Sequence, residues 1–297
     1  METETYKSGF VAVMGRPNVG KSTLVNALVG QKIAAVTPRP QTTRKRQMGI
    51  LTTETAQVIF IDTPGVHQPR HKLGESMNKE ALDTPEESDV ILFVADGSLA
   101  PNDEDRMLAA ALSRVRRTPV LLALNKQDLL APADLLQAQS TYQELLPMAE
   151  CFPVSAKTQA GLETLHKRIL ELLRPGEPFF PEDQITDLYE REIAGDLIRE
   201  SALIYLRDEV PHGIAVRIDQ YLERGDAGAF IEATVFVEKE SHKPIMIGQN
   251  GEMLKKIGSA ARVEIEKITN RKVYLSLRVK VRKNWRDDEQ TLKGFGF

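Results

Sequence analysis

The sequence has little of what marks secreted, disulfide-linked or membrane-spanning proteins. Its 297 residues include one cysteine, Cys151, so no disulfide framework is expected and a reducing compartment fits. We expect this thiol to pack as a small apolar side chain. Residues 1–9 are polar and offer no apolar segment for a secretory signal. The longest apolar runs, such as residues 90–95 and 120–124, have strand length, whereas a membrane span needs about 20 residues.

A large charge of one sign is also missing. The chain carries 39 basic and 42 acidic residues, a formal net charge of −3, which by itself neither indicates nor excludes a nucleic-acid partner. The distribution is more informative, because residues 239–283 contain about 12 basic and about 4 acidic residues, a local excess typical of nucleic-acid binding.

Strand-length apolar runs alternate with helix-like stretches up to residue 173. The pattern predicts a helix at residues 21–29 and strands at 10–14, 58–61, 90–95, 120–124 and 152–154. Such alternation indicates βαβ units and a mostly parallel sheet with helices on both faces. Residues 47–51 can pair with 57–61 as a hairpin, which would add an antiparallel edge. We therefore predict an α/β domain over residues 1–174.

A proline-rich break follows this pattern. Residues 174–181 read RPGEPFFP and cannot continue a helix, so we predict a linker at 175–185 and a second, α+β domain at 186–297. The predicted elements of the second domain are a helix at 186–206, strands at 214–222 and 229–238, a short helical segment at 245–247, a glycine-containing turn, two helices between about 253 and 268, and a last strand at 273–281.

One glycine-rich motif lies between the strand predicted at 10–14 and the helix predicted at 21–29. In this context a Gly-x-x-x-x-Gly-Lys-Ser sequence forms a phosphate loop, whose backbone N–H groups and following helix N-terminus face the β-phosphate. We expect Lys21 to reach the β- and γ-phosphates and Ser22 to bind Mg²⁺. The predicted nucleotide-binding residues here are Gly15, Arg16, Pro17, Asn18, Val19, Gly20, Lys21, Ser22 and Thr23.

A second motif, DTPG at residues 62–65, follows the strand predicted at 58–61. The carboxylate of Asp62 can hold Mg²⁺ through water and the N–H of Gly65 can reach the γ-phosphate, so hydrolysis would release this loop. Upstream, we favour Thr43 over Thr42 as the residue that binds Mg²⁺ and the γ-phosphate in the GTP state. The predicted metal ligands are Ser22, Thr43 and Asp62, and the second motif adds the nucleotide-binding residues Asp62, Thr63, Pro64, Gly65 and Val66.

A third motif, NKQD at residues 125–128, distinguishes guanine from adenine. The carboxylate of Asp128 can accept from the N1–H and 2-amine of guanine, whereas adenine has neither donor and would leave the carboxylate unpaired. Lys126 is expected to lie along the base or ribose, and the tripeptide SAK at 155–157 to offer backbone N–H groups to guanine O6. The predicted base-binding residues are Asn125, Lys126, Asp128, Ser155, Ala156 and Lys157.

The hydrolytic step has no obvious water-orienting side chain. Val66 stands directly after DTPG, where many signalling GTPases have a glutamine for that task. The chain therefore either hydrolyses GTP slowly or uses another device, such as K⁺ held by Asn18 where an arginine finger would place its charge. His67 and His71 are expected to be solvated rather than to act as catalytic bases. The residues assigned to the reaction are Lys21, Thr43, Asp62, Gly65 and Asn18.

A Gly-x-x-Gly turn stands out in the second domain. Such a turn brings the backbone close to a nucleic-acid strand, and about four nucleotides are typically clamped there. The order helix, strand, strand, helix, turn, helix, strand resembles a KH domain of the second topological type. The predicted RNA-binding residues are Ile247, Gly248, Gln249, Asn250, Gly251, Lys255 and Lys256.

Two assignments near the end of the chain stay open. Arg278, Lys280 and Arg282 alternate on the last predicted strand and form either an RNA-facing basic side or a solvated sheet edge. Trp285 either stacks on a base or caps the core.

Taken together, the motifs resemble those of the Era family of bacterial GTPases over nearly the whole chain. The matching segments are GRPNVGKS (15–22), QTTR (41–44), DTPG (62–65), NKQD (125–128), PEDQITD (181–187), IGQNG (247–251) and WRDDE (285–289). The resemblance implies a GTP hydrolase that uses GTP or GDP with Mg²⁺ and binds near the 3′ end of 16S rRNA during assembly of the 30S ribosomal subunit. It also implies a cytoplasmic protein with a peripheral membrane-associated fraction and effects on cell-cycle progression. We expect a monomer.

The expected mechanism is a two-state switch. GTP and Mg²⁺ order the loops of Thr43 and Asp62 and open the Gly-x-x-Gly face to RNA, and hydrolysis loosens the complex. One alternative is a constitutive RNA-binding protein whose nucleotide site has only a structural or membrane-partner role. Another is a GTPase that supports an RNA-modifying enzyme, which the second domain disfavours because its sequence shows no metal cluster or nucleophile constellation.

Overall fold

The structure, a computed structural model, describes residues 5–37, 42–223 and 228–297. They divide into two units. The first contains the described parts of Met1–Ala34, Thr43–Pro69 and Ser76–Asp187. The second contains the described parts of Ala35–Thr42, Arg70–Glu75 and Leu188–Phe297. Two short segments from the N-terminal half of the chain thus belong to the second unit.

The first unit is built on a seven-stranded, mostly parallel sheet. Its strands are β1 (Lys7–Met14), β2 (Gln47–Thr52), β3 (Ala56–Asp62), β4 (Val90–Asp96), β5 (Val120–Asn125), β6 (Glu150–Pro153) and β7 (Arg174–Pro175). They lie in the order β2-β3-β1-β4-β5-β6, with β7 also paired to β1. All pairs are parallel except β2 with β3 and β7 with β1. The predicted parallel sheet and its antiparallel hairpin are confirmed.

Helices cover both faces of this sheet because its strands are apolar on both sides. In β1, Val11 and Val13 belong to one buried core, whereas Ala12 and Met14 belong to the other. The first core is covered by α1 (Lys21–Val29) and α5 (Leu162–Leu172), and the second by α2 (Lys72–Asp83), α3 (Asp103–Leu112) and α4 (Pro132–Leu145). This is the α/β architecture that the sequence predicts for a phosphate-loop GTPase domain.

The second unit packs helices around a three-stranded sheet in the order β10-β9-β8. Its strands are β8 (Ala215–Glu223), β9 (Ala229–Val237) and β10 (Val273–Val281), and its helices are α6 (Glu190–Tyr205), α7 (His242–Ile247), α8 (Glu252–Thr269) and α9 (Glu289–Gly294). β9 runs antiparallel to β8 and parallel to β10. Their shared core includes Leu197, Ile231 and Ile257. The predicted α+β KH arrangement is confirmed.

Three details of the second unit differ from the sequence predictions or decide between them. The two helices expected between 253 and 268 are one, α8, because Ile257, Ala261 and Ile265 form one buried stripe at four-residue spacing. The helix expected from residue 186 begins at Glu190, after an extended residue. Trp285 is fully buried and its Nε1 donates to the Gly213 carbonyl at 2.9 Å, so it caps the core and does not stack on a base.

The predicted linker groups with the first unit. Its first residue completes β7, and farther along the Ile185 carbonyl accepts from the N–H of Ile50 at 2.9 Å. The boundaries at 174 and 186, as limits of independently folding domains, stay a prediction.

Two features of the structure concern the single cysteine and the question of a membrane-spanning helix. Cys151 lies in β6, is partly buried, and has its pKa raised to about 11 by burial. Such a thiol is almost wholly protonated at neutral pH, as expected of a packing residue. Within the ranges that the structure describes, no helix is both long and apolar enough to cross a membrane.

Candidate functional site

The phosphate loop joins β1 to α1, as predicted. The Nζ of Lys21 donates to the carbonyls of Gly15 and Arg16, both at 3.1 Å, so the loop folds around this amine. Lys21 is buried, and burial lowers its pKa from 10.5 to about 8. Gly20 has a φ of +97°, and a Cβ there would lie 2.4 Å from Nδ2 of Asn125. Only glycine permits both that conformation and that approach.

Three oxygen-bearing side chains converge beside the phosphate loop. Ser22 Oγ donates to Asp62 Oδ2 at 2.6 Å, and Thr43 Oγ1 donates to the same oxygen at 3.1 Å while lying 2.9 Å from Ser22 Oγ. Asp62 Oδ1 is buried and accepts no hydrogen bond from any residue that the structure describes. Burial raises the pKa of Asp62, and Lys21 opposes that shift. Hard oxygen donors with an unpaired carboxylate oxygen fit Mg²⁺.

The same geometry separates the two neighbouring threonines. Thr42 Oγ1 lies 2.8 Å from Thr37 Oγ1, and both residues belong to the second unit. Thr43 belongs to the first unit and contacts Ser22 and Asp62. This placement favours Thr43 as the metal ligand, in line with the sequence prediction.

The loop after β3 packs directly on the phosphate loop. A Cβ at Gly65 would lie 2.7 Å from the backbone nitrogen of Pro17, so this approach requires glycine. The N–H of Val66 donates to a phosphate-loop carbonyl at 3.2 Å, and its side chain is fully buried in the core. Thr63 is buried as well, with Oγ1 donating to the Val13 carbonyl at 2.8 Å. Val66 therefore offers nothing that can orient water.

Asn78 of α2 fixes the backbone of His67, just beyond this loop. The sequence analysis did not identify Asn78. Its Nδ2 donates to the carbonyl of His67 at 2.6 Å, and its Oδ1 accepts from the N–H of His67 at 3.2 Å. The His67 Nδ1 lies 2.9 Å from the Gly65 carbonyl. His71, in the second unit, lies 2.9 Å from a carboxylate oxygen of Asp287. Both histidines thus have structural partners rather than a solvated ring alone.

The NKQD motif and the SAK tripeptide interlock at the ends of β5 and β6. Asn125 Nδ2 donates to the Val19 carbonyl at 2.8 Å, and its Oδ1 accepts from the N–H of Ala156 at 2.9 Å. The exposed carboxylate of Asp128 accepts from Ser155 Oγ at 2.6 Å. Asp128 is therefore oriented and open to donors such as guanine N1–H. The Ala156 N–H already braces Asn125, so its role toward guanine O6 stays a prediction.

Lys126 bridges the phosphate loop and a carboxylate that sequence reasoning missed. It has a φ of +69°, and its Nζ donates to the Asn18 carbonyl at 3.0 Å and to Asp96 Oδ2 at 2.6 Å. Asp96 is buried and ends β4. The available signal was a carboxylate at the C-terminal end of an apolar strand, the edge where ligands bind in parallel sheets.

The remaining predicted nucleotide residues differ in exposure. The side chain of Arg16 is buried and its Nε donates to Asp105 Oδ2 at 3.0 Å, so it points into the protein and anchors the phosphate loop there. Asn18 is exposed with a φ of +66°, and Lys157 is exposed. Thr23 is partly buried in the first turn of α1, and Pro64 is buried.

A groove with a volume of about 380 Å³ lies between α8 and β10 in the second unit. β10 is an edge strand, so one side of its backbone is not paired within the sheet. The Gly-x-x-Gly turn has positive φ angles at Gly248, Asn250 and Gly251, of +75°, +50° and +81°. The lining residues are Gly251, Leu254, Lys255, Gly258, Ser259, Arg262, Tyr274, Leu275 and Leu277.

The predicted RNA-binding residues do not all line this groove. Gly251 and Lys255 do, and residues 247–250 form the end of α7 and the turn beside it. Lys256 Nζ lies 4.4 Å from the centroid of the Tyr205 ring, a cation–π contact outside the lining. Arg262 and Tyr274 line the groove but were missed, because their positions relative to the turn depend on how α8 packs against β10.

The basic residues of β10 and the segment after it mostly serve the second unit itself. Arg278 lies 3.4 Å from Asp219 and 3.6 Å from Glu232, and Arg282 donates to Thr291 Oγ1 at 2.9 Å. These contacts favour the solvated sheet edge over an RNA-facing side.

Known proteins share both units. Residues 10–126 match the 50S ribosome-binding GTPase family, and residues 209–286 match the KH domain family. A curated GTPase Era from Ruminiclostridium cellulolyticum is 46% identical over 99% of this chain and 98% of its own length. A second, from Halothermothrix orenii, is 44% identical over 99% of both chains.

Solved structures agree with these sequence relatives over both units. A crystal structure of Era in complex with MgGDPNP and nucleotides 1506–1542 of 16S ribosomal RNA is 41% identical, has a TM-score of 0.93, and covers 98% of this chain and 99% of that one. An Aquifex aeolicus Era variant bound to GDP and AlF4⁻ gives a TM-score of 0.92 at the same identity and coverage. The chain therefore belongs to the Era family of GTPases, which join a GTP-hydrolysing domain to a KH domain.

Proposed function

We propose that this GTPase binds GTP and GDP with Mg²⁺, and that its KH unit binds the 3′ region of 16S rRNA during assembly of the 30S subunit. The observation that carries the proposal is the groove between α8 and β10, which combines a Gly-x-x-Gly turn with basic side chains. The related Era structure holds nucleotides 1506–1542 of 16S rRNA, which supports the choice of RNA.

At the nucleotide site, Ser22, Thr43 and Asp62 would hold Mg²⁺. The bound ion would neutralise charge on the β- and γ-phosphates. Lys21 would exchange its two loop carbonyls for phosphate oxygens, and phosphate charge would keep this amine protonated despite its burial. Asp128 would select guanine by accepting its N1–H and 2-amine.

For hydrolysis we propose that the Asn18 side chain helps to hold K⁺ beside the phosphates, because buried Val66 cannot orient water. Asn18 is exposed, and its carbonyl faces Lys126. The test compares turnover in KCl and NaCl for the natural chain and for Asn18→Gly, since glycine tolerates the φ of +66° without the amide. We expect K⁺ to stimulate only the natural chain; equal rates in both salts would overturn the K⁺ role.

At the groove, RNA backbone would pass over the Gly-x-x-Gly turn, while Lys255 and Arg262 contact phosphates. The decisive experiment measures GTP hydrolysis with and without an oligonucleotide matching the 3′ end of 16S rRNA. Gly251→Asp is the matched variant. A Cβ at this position meets nothing within 4 Å, and aspartate tolerates the φ of +81° better than most residues.

We expect the oligonucleotide to stimulate turnover in the natural chain and not in Gly251→Asp, whose basal hydrolysis stays normal. A scrambled oligonucleotide of equal length controls for non-specific charge effects. Absence of both stimulation and binding would contradict the rRNA proposal.

The rival is constitutive RNA binding with a merely structural nucleotide site. Lys21→Ala separates the two, because it removes the buried amine that faces the phosphates. Unchanged RNA affinity in Lys21→Ala, loaded or unloaded, would support the rival.

We also propose a monomeric, cytoplasmic protein with a peripheral membrane-associated fraction and an influence on cell-cycle progression, on the strength of the family resemblance. Sedimentation tests the first point, and fractionation with and without high-salt washing tests the membrane fraction. Cell length after depletion tests the third.

A further inference from the structure

Arg16 and Asp105 form a buried ion pair behind the phosphate loop. The Nε of Arg16 lies 3.0 Å from Asp105 Oδ2, and the two side chains are 10% and 0% exposed. Arg16 belongs to the loop itself, whereas Asp105 lies in the first turn of α3. The pair therefore ties a nucleotide-binding loop to a helix that contributes no predicted ligand.

The loop end of this pair leads directly to Lys21. The carbonyl of Arg16 accepts from Lys21 Nζ at 3.1 Å, and so does the preceding carbonyl of Gly15. Holding the guanidinium of Arg16 thus holds the peptide group that positions the Lys21 amine. Without that anchor, the Arg16 backbone would be freer to move, and the carbonyl that accepts from Lys21 with it.

The helix end of the pair is itself fixed. Asp105 Oδ2 also accepts from the N–H of Asn102 at 3.1 Å, while Asn102 Oδ1 accepts from the N–H groups of Glu104 and Asp105, both at 3.0 Å. This capping box holds the carboxylate in one orientation at the start of α3. Arg16 therefore has a rigid anchor.

Stability alone does not account for such a pair. Buried ion pairs are commonly matched or surpassed in stability by apolar residues of similar volume, because desolvation offsets the attraction. Here Asp105 Oδ1 is also buried and accepts no hydrogen bond from any residue in the described ranges. Burying this ion pair is unfavourable because both groups lose their hydration. The pair also fixes the geometry of the phosphate loop.

We propose that Asp105 is a positioning residue for nucleotide binding. Through the guanidinium of Arg16 it fixes the backbone of the phosphate loop and hence the Lys21 amine. The Asp105 side chain is fully buried, so it acts through Arg16 and not at the loop surface.

The test compares the double substitution Arg16→Met/Asp105→Leu with the natural chain. It removes both charges at once, so neither is left buried alone. We expect the dissociation constant of a fluorescent GDP analogue to rise about 10- to 100-fold, because the loss of a hydrogen bond to a charged group such as the Lys21 amine has about that effect. The unfolding midpoint of the nucleotide-free protein should move by no more than about 4 °C.

Two further variants separate positioning from helix stability. Asn102→Ala removes the side-chain oxygen that caps α3 but keeps the backbone N–H that donates to Asp105 Oδ2, so the carboxylate stays in place beside Arg16. It should lower the midpoint by about 2–4 °C and leave GDP affinity unchanged. Asp105→Glu keeps an acid at the capping-box position and in reach of Arg16, so it should bind GDP within about threefold of the natural chain.

Natural GDP affinity in a folded Arg16→Met/Asp105→Leu protein would overturn the proposal. So would an equal loss of affinity in Asn102→Ala, since that would trace the effect to α3 alone. If the double variant does not fold, Asp105→Asn takes its place, with the same expected loss of affinity and the same Asn102→Ala control.

Discussion

At the scale of single residues, two buried carboxylates outside the predicted motifs, Asp96 and Asp105, hold residues of the candidate nucleotide site. Asp96 is buried at the end of β4, and its Oδ1 accepts from the N–H and Oγ of Ser98 at 3.1 and 2.6 Å. Its Oδ2 accepts from Lys126 Nζ at 2.6 Å. Lys126 in turn donates to the Asn18 carbonyl, so Asp96 holds the lysine where the guanine and phosphate loops meet.

Asp96→Asn should weaken nucleotide binding. The amide keeps the size of the side chain but loses the charge that holds Lys126, and hydrogen bonds to charged groups contribute about 1.5–3 kcal/mol. We expect the GDP dissociation constant to rise about tenfold, measured by titration with a fluorescent analogue. Ser98→Ala, which removes the hydroxyl donor to Asp96 but keeps the N–H donor, should change affinity much less. Equal affinities for Asp96→Asn and the natural chain would contradict this role.

Residues whose position follows from local order were predictable, and those that pair across the fold were not. Lys21, Asp62 and Asp128 stand in motifs that follow strands, and in the structure Lys21 lies within the phosphate loop, Asp62 beside it and Asp128 after β5. Asp96 and Asp105 pair with residues that are 30 and 89 positions away in sequence. Nothing local distinguishes them from an ordinary strand end and an ordinary helix cap.

At the scale of elements, α8 carries a glycine in its interior, beside β10. Gly258 lies in the interior of this 18-residue helix, where glycine costs about 1 kcal/mol relative to alanine. A Cβ there would lie 3.3 Å from Leu277 Cδ1 across the groove. Glycine thus allows α8 and β10 to lie close together without filling the groove.

Gly258→Leu should block RNA binding and spare the nucleotide site. The new side chain occupies the groove, so the affinity for the 16S 3′-end oligonucleotide should fall at least about tenfold in an anisotropy assay, even though leucine favours a helix. Val263→Leu, at an exposed position of α8 outside the groove lining, is the matched control. Undiminished RNA binding by a folded Gly258→Leu protein would show that RNA binds elsewhere.

β10 carries an aromatic platform at the same groove. Tyr274 is 67% exposed and stacks on Phe230, with ring centroids 5.3 Å apart and planes 10° from parallel. We expect Tyr274→Ala to lower RNA affinity about 5- to 150-fold, the range for loss of one stacked base, while Tyr274→Phe retains it.

The salt dependence distinguishes stacking from charge at this platform. Tyr274→Ala should leave the slope of log affinity against log salt unchanged. Lys255→Ala should make that slope less steep, by the contribution of about one phosphate contact. Equal RNA affinity in Tyr274→Ala and the natural chain would exclude the platform from the binding site.

At the scale of the whole molecule, the sequence predicted the classes of both units but not which segments build them. Apolar runs identify strands because burial acts locally, and the parallel sheet follows from their alternation with helices. The grouping of residues 35–37, 42 and 70–75 with the second unit depends on long-range contacts. One of these is the hydrogen bond from the N–H of Val36 to the carboxylate of Glu200, at 3.0 Å.

This grouping places residues of the candidate nucleotide site next in sequence to segments of the second unit. Thr43, which contacts Ser22 and Asp62, directly follows a segment that belongs to the second unit. Arg70 and its neighbours likewise follow the Gly65 loop. A ligand that fixes Thr43 would therefore act next to a segment of the second unit, and the two sites would be coupled if GTP and GDP fixed Thr43 differently.

Coupling of this kind must be reciprocal. If protein loaded with a GTP analogue binds the 16S oligonucleotide more tightly than GDP-loaded protein, the oligonucleotide must raise the preference for the analogue over GDP by the same factor. We expect a factor of about 5–150, or about 1–3 kcal/mol, from RNA titrations in both nucleotide states and nucleotide titrations with and without RNA. Gly251→Asp should lose the effect on nucleotide preference while still binding both nucleotides. Equal RNA affinity in GTP-analogue-loaded and GDP-loaded protein would mean that the two sites are independent, and it would favour the constitutive alternative. An RNA that binds both nucleotide states equally cannot shift the equilibrium between them.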